Sequence, residues 1–318
     1  MAVPTELVVA LGARLGADRV RQDVPLASLT TFRVGGPADV VVDTRSSEEI
    51  IAVLQLARAH GVPVTVMGGG SNVLVHDAGV RGVVIHPRGG EVHPLGPAAV
   101  RADAAVTING LVRWTINRGL AGLEAWAGTP GTVGGAIFGN AHWQRTNIGD
   151  IVESVRLARR DGALLQVPAD RMEFDYDDSR LKRTGEIVLW AAFRVAPGAD
   201  PDALRATARA SLAFRKRTQP LHLPSAGCIF MNPDPSRDRL PEGVPPSAGA
   251  LIDRAGLKGA SEGGAQVSET HANFIVNRDG ATAADIDRLV ERCRAAVHER
   301  FGVSLREEIV RMGFGEAG

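Results

Sequence analysis

Apolar and polar positions along the chain switch repeatedly between strand-like and helix-like spacing, and the switches mark its elements. Val40-Val41-Val42 is an apolar run, Ser46-Ser47-Glu48-Glu49 reads as a capping box, and Ile50, Ile51, Val53, Leu54 and Ala57 then recur at helical spacing until Gly61. Residues 62–67 predict a strand that runs straight into Gly68-Gly69-Gly70-Ser71-Asn72, followed by another strand at Val73-Leu74-Val75. A second stretch, 89–213, predicts a strand at 99–102 and a helix with Ile108, Leu111, Val112 and Ile116 on one face, stopped by Gly119. It continues with strands at 155–157, 164–167 and 187–195 and a helix over 202–217. The third stretch predicts a short helix at 247–255, a strand at 273–276, and a long helix whose Ile286, Leu289, Val290, Cys293, Val297 and Phe301 share one stripe. That stripe makes Cys293 a core residue. Strands interleaved with helices, without a regular wound repeat, predict a mixed α and β protein.

Two glycine-rich segments interrupt this pattern. Three glycines after a strand permit positive φ and close approach, so that successive N–H groups can face an anion such as a diphosphate. The dinucleotide fingerprint of the wound fold would need such glycines to open a helix, whereas here a strand follows. A lone triplet would read as a tight turn. The second segment, Gly128-Thr129-Pro130-Gly131-Thr132-Val133-Gly134-Gly135-Ala136, changes that, because its Thr-Pro pair is placed to start a helix lined with bare backbone. Two such loops suggest one extended ligand.

At 318 residues the chain has room for two or three domains, each with its own core. Acidic and basic residues balance at 36 each with no concentrated basic tract, which argues against a nucleic-acid partner. Two cysteines are too few for a disulfide framework and fit a reducing compartment. No histidine pair has metal-ligand spacing, so no metal is expected. Without a signal segment or a run of ~20 apolar residues, a soluble cytoplasmic protein with no membrane partner is expected.

Further motifs carry a resemblance over nearly the whole chain. Besides the two glycine segments these are Thr31-Phe32-Arg33-Val34-Gly35-Gly36, Pro224-Ser225-Ala226-Gly227-Cys228-Ile229-Phe230-Met231-Asn232-Pro233 and Ala255-Gly256-Leu257-Lys258-Gly259. Gly264-Ala265-Gln266-Val267-Ser268, His271-Ala272-Asn273-Phe274-Ile275-Val276-Asn277 and the stretch from Phe301-Gly302-Val303 to Ile309 complete the set. In this order they resemble the UDP-N-acetylenolpyruvoylglucosamine reductases, in the short form of that family. The resemblance implies an α+β fold: a two-part FAD-binding fold of the flavin oxidase (PCMH) type, at 1–88 and 89–213, plus a C-terminal α+β substrate-binding domain at 214–318 whose last residues return to the first part. It implies non-covalent FAD, NADPH as co-substrate, and reduction of UDP-N-acetylglucosamine enolpyruvate to UDP-N-acetylmuramate for peptidoglycan. A monomer is the expectation, with the UDP-sugar substrate as its partner and neither nucleic acid nor membrane, although the sequence itself does not disclose the oligomeric state.

The resemblance also assigns residues. FAD falls to Gly68, Gly69, Gly70, Ser71, Asn72, Pro130, Gly131, Thr132, Gly134, Gly135 and Asn140, and substrate to Ser225, Asn232 and Gln219. Cys228 occupies the place of the family's proton-donating serine. A thiol, with a pKa near ~8.5, is a better acid than an aliphatic hydroxyl. Glu308, in Leu305-Arg306-Glu307-Glu308, matches the second catalytic group, while Glu307 reads as a solvated neighbour. The family's Tyr-Arg-x-Ser is Tyr176-Asp177-Asp178-Ser179-Arg180 here, so Asp177 replaces the arginine and Arg180 becomes the candidate for its enolate-stabilising role. Met231 replaces a usual lysine. These two departures leave open a flavin oxidase of another substrate, or a relative that binds flavin or nucleotide sugar without turnover.

Overall fold

The computed structural model describes residues 3–144, 146–238 and 240–315. They form two compact units. The first comprises the chain up to Val24, Ala38–Gly69 and Arg81–Phe214, and the second Pro25–Pro37, Gly70–Val80 and the chain from Arg215. The mixed α and β content is as the sequence predicts.

The first unit holds two sheets. One has the strand order Val20–Pro25, Pro37–Thr44, Val80–Pro87, Val64–Val66, with Val64, Thr65 and Val66 parallel to and opposite Val83, Val84 and Ile85. Leu7, Leu11 and Leu15 of the helix Thr5–Leu15 and Ile50, Val53, Leu54 and Ala57 of Ser47–Ala59 pack with Val40, Val42, Val83 and Ile85. Ser46 caps the second helix by accepting from the Glu49 N–H at 3.3 Å. The Glu49 carboxylate does not complete the expected box, because it accepts instead from the Arg45 N–H at 2.7 Å.

The other sheet is antiparallel, in the order Leu164–Pro168, Val152–Ala158, Ile187–Arg194, Ala99–Asp103, Val92–Pro94. Ile108, Leu111, Val112 and Ile116 of the helix Ile108–Ile116 are buried with Val155, Leu157, Ala191 and Phe193 of that sheet and with Val133, Ala136 and Ile137 of the short helix Val133–Phe138. This second helix begins beyond the anticipated Thr-Pro pair. Its cap is Thr132, whose Oγ1 accepts from the Gly135 N–H at 3.4 Å.

In the second unit a three-stranded antiparallel sheet, Ser261–Glu262, Ala265–Val267 and Ile275–Asn277, lies with the helices Ala248–Arg254 and Ala283–Phe301. Ile286, Leu289, Val290, Cys293 and Val297 form the buried face of the long helix, as their spacing predicts. A parallel pair joins Val310, Arg311 and Met312 to Val73, Leu74 and Val75. Among the described residues no helix is long and apolar enough to cross a membrane.

Candidate active site

In the first unit the strand Val64–Val66 is followed by Met67, whose N–H donates to Ile85 O at 2.9 Å, and then by Gly68 and Gly69. These glycines abut the second glycine segment. A Cβ on Gly69 would stand 2.8 Å from Gly131 Cα, and one on Gly68 2.6 Å from Thr132 Oγ1, so the main chains touch more closely than any side chain would permit. Among the described residues, the N–H groups of Gly68, Gly69, Gly131 and Thr132 donate to no main-chain acceptor. Their neighbours are engaged: Val133 N–H bonds Val106 O at 2.8 Å and Gly134 N–H bonds Ala104 O at 2.9 Å. Adjacent uncommitted N–H groups over bare backbone suit an anion, and the residues therefore fit the diphosphate of a dinucleotide cofactor.

Other predicted cofactor residues have internal duties. Gly70 and Asn72 belong to the second unit, where Gly70 O accepts from Thr31 N–H at 3.0 Å. Asn72 O accepts from Val310 N–H at 2.9 Å, and its Nδ2 donates to Glu308 O at 3.1 Å. Asn140 is buried with both ends of its amide used, Nδ2 on Asp175 O at 2.7 Å and Oδ1 on Gly149 N–H at 2.9 Å. Its side chain fastens the 175–178 turn.

The second unit brings the Cys228 segment beside the Glu308 segment. Glu308 N–H donates to Ile229 O at 2.8 Å, and Met231 N–H to Arg306 O at 2.9 Å, in an antiparallel bridge centred on Phe230 and Glu307. Buried Asn273 clamps the first segment from its other side: its main-chain O accepts from Ile229 N–H at 2.8 Å, its Oδ1 from Phe230 N–H at 3.0 Å, and its Nδ2 donates to Phe230 O at 2.7 Å. The chain's thiols differ sharply. Cys228 is half-buried, whereas Cys293 is buried and its thiol is pushed up to about 12 by desolvation. Glu307 is not the solvated residue expected. Burial alone would raise its carboxyl, but Arg311, at 2.8 and 3.1 Å, and Arg294 outweigh burial and hold it below the ordinary carboxylate range. Arg311 lies only four positions beyond Glu307, whereas Arg294 reaches it from the long helix, so local spacing signals only half of the network.

Of the predicted substrate residues, Ser225 makes an antiparallel bridge to Val276. Asn232 Oδ1 accepts from Ala248 N–H at 3.1 Å, at the start of the helix Ala248–Arg254, and Gln219 O closes a turn with Leu221 N–H at 2.9 Å.

Arg180 is engaged by a buried carboxylate. Its Nε and Nη2 fork onto the two oxygens of buried Glu186 at 3.0 and 3.2 Å, and Nη1 donates to Arg171 O at 3.2 Å. Removing Arg180 would leave the buried carboxylate with the more distant Arg159, at 3.7 Å, and the Thr184 hydroxyl, and breaking a buried pair typically costs about 3–5 kcal/mol. Arg180→Ala is therefore expected to lower the urea midpoint strongly, with Glu186→Gln in the same chain restoring much of it. A lowered turnover number with an unchanged midpoint would return Arg180 to the chemistry. Asp177, at the place where an arginine was expected, is buried and bonded to His142, a residue that sequence reasoning passed over.

The cradle of uncommitted backbone donors suits a dinucleotide, residues 38–168 match the FAD binding domain family, and the chain is a flavin-dependent oxidoreductase. Residues 219–312 match the UDP-N-acetylenolpyruvoylglucosamine reductase C-terminal domain. The chain belongs to the UDP-N-acetylenolpyruvoylglucosamine reductase family. It is 43% identical over 309 residues to the reductase of Geobacter metallireducens, covering 97% of this chain and 98% of that one. With the reductase of Parasynechococcus marenigrum it shares 40% over 301 residues, covering 94% and 97%. Its fold is similar to the crystal structure of UDP-N-acetylenolpyruvylglucosamine reductase from Thermus caldophilus, with a TM-score of 0.76 and 34% identity, covering 92% of this chain and 99% of that one.

Proposed function

We propose that the protein reduces UDP-N-acetylglucosamine enolpyruvate to UDP-N-acetylmuramate in the cytoplasm, with NADPH as the source of hydride and FAD held non-covalently by Gly68, Gly69, Gly131 and Thr132. The observation that supports this reading best is the main-chain pairing of the Cys228 segment with the Glu308 segment, which puts a thiol and a carboxyl on adjacent, bridged segments. FAD bound there would supply the hydride chemistry that links NADPH to the methylene carbon of the enolpyruvyl ether.

The residues of the chain manage the charge and proton that follow. Hydride addition at the methylene carbon pushes the double-bond electrons toward the adjacent carbon and its carboxylate. The Cys228 S–H bond then breaks as a C–H bond forms at that adjacent carbon, and the thiolate recovers its proton from water. Glu308 shares a proton with the enolic oxygen, and Asn72 and Ile229 fix its backbone on both sides.

An anaerobic assay of the FAD-loaded protein tests this. NADPH alone is expected to bleach the flavin absorbance, and addition of UDP-N-acetylglucosamine enolpyruvate to restore it without oxygen. No bleaching would leave a protein that only binds flavin. Bleaching without recovery on substrate would assign the protein to another substrate.

A further inference from the structure

Within the first unit, the turn at 175–178 holds a carboxylate that the mechanism above does not use. Asp177 is 5% exposed and has φ +50, a left-handed backbone that aspartate tolerates but that carries strain. The turn is tied down on all sides. Asp175 and Asp178 exchange main-chain hydrogen bonds at 3.1 Å, Asn140 holds Asp175 O, Ser179 Oγ donates to Phe138 O at 2.7 Å, and Lys182 Nζ bonds Asp177 O. One carboxylate oxygen, Oδ1, accepts from His142 Nδ1 at 3.1 Å. The other, Oδ2, is buried without a hydrogen-bond partner among the described residues. A buried carboxylate satisfied at one oxygen is costly, and such groups concentrate where a site needs them.

What this cost secures is the orientation of a ring. By accepting from Nδ1–H, the carboxylate fixes the ring's orientation and aims Nε2 away from itself. The dyad has one closed end and one open end: the Asp177 side chain is 7% exposed and that of His142 25%. Tyr176 packs against the imidazole with centroids 5.0 Å apart. His142 follows the helix Val133–Phe138 by four residues, and the glycine cradle lies at the other end of that helix.

The geometry points to His142 as a further catalytic residue and to Asp177 as its positioning residue: the imidazolium donates Nε2–H to the enolpyruvyl carboxylate as negative charge gathers there. This rests on the proposed substrate. The proton stays on the ring throughout, so the step is stabilisation of charge and transfers nothing.

The test uses the FAD-loaded full-length protein for kinetics and ¹⁵N-histidine-labelled protein for spectroscopy. His142→Ala is expected to lower kcat on the order of 100-fold with little change in KM, as for loss of one preorganised donor, and added imidazole to restore part of it. Asp177→Asn should lower kcat less and alter the His142 nitrogen shifts. UDP-N-acetylglucosamine enolpyruvate should move the His142 Nε2 resonance, and UDP-N-acetylglucosamine, which lacks the carboxylate, should not. If the wild type does not turn over this substrate, the functional reading itself fails. If it does, and His142→Ala matches it, or loses activity together with melting temperature and without imidazole rescue, the role of His142 is overturned while the substrate stands. Identical Nε2 shifts with both sugars overturn it too.

Discussion

Cys228→Ala is expected to abolish substrate reduction, with a loss on the order of 1,000-fold, while NADPH still bleaches the flavin. A positioned general acid contributes about 10²–10⁴-fold, and alanine leaves nothing at this position to protonate the carbon next to the attacked methylene. Cys228→Ser should retain part of the activity, since a hydroxyl donates from the same place less readily. The second cysteine provides the control: Cys293 is buried in the stripe of the long helix and its thiol is pushed up to about 12, so alkylation of the native protein should mark Cys228 alone. Normal turnover in single-turnover oxidation of the prereduced Cys228→Ala protein would show that the proton comes from elsewhere.

Gly69→Val is expected to lose FAD without unfolding the first unit. The added Cβ would stand 2.8 Å from Gly131 Cα, a main-chain atom that cannot swing aside, so the two loops must part and their N–H groups separate. An affinity loss of roughly 100-fold, about 2.8 kcal/mol at ~1.4 kcal/mol per decade, should appear in fluorescence-quenching titration of FAD into apoprotein, with an unchanged circular dichroism spectrum. Gly68→Ala offers a graded comparison. Its Cβ meets Thr132 Oγ1, the end of a side chain, so the obstacle can rotate and the loss should be smaller. Equal FAD affinity in Gly69→Val and the wild type would remove the cradle from cofactor binding.

Periodicity makes most elements legible in this sequence because it reports which side of a helix or strand is buried. The faces at Ile50 to Ala57, Ile108 to Ile116 and Ile286 to Val297 are all found where the pattern puts them. Side-chain partnerships are less legible, since the same residue type serves several acceptors at similar energy. Glu49 satisfies Arg45 instead of Ser46, and Thr132 instead of the Thr-Pro pair opens the helix at the second glycine loop. At the site, motif order singles out Cys228 and Glu308, but their juxtaposition rests on strand pairing across nearly eighty positions, which no local spacing encodes. Arg180 and His142 show the same gap from opposite sides. The arginine looked available but is held by Glu186, and the histidine looked incidental but is held by Asp177.

The parallel pairing of Val73–Val75 with Val310–Met312 has a bearing on how the protein is made. The strand that leads out of the glycine loop has its partner more than two hundred residues later, so on the ribosome it waits roughly 10 to 50 s at ~5–20 residues per second. Asn72 likewise waits for Val310 and Glu308. The glycine loop is thus anchored on its downstream side by a segment synthesised more than two hundred residues after it, and the nascent chain carries an unpaired apolar edge in the interval, a natural client for a chaperone.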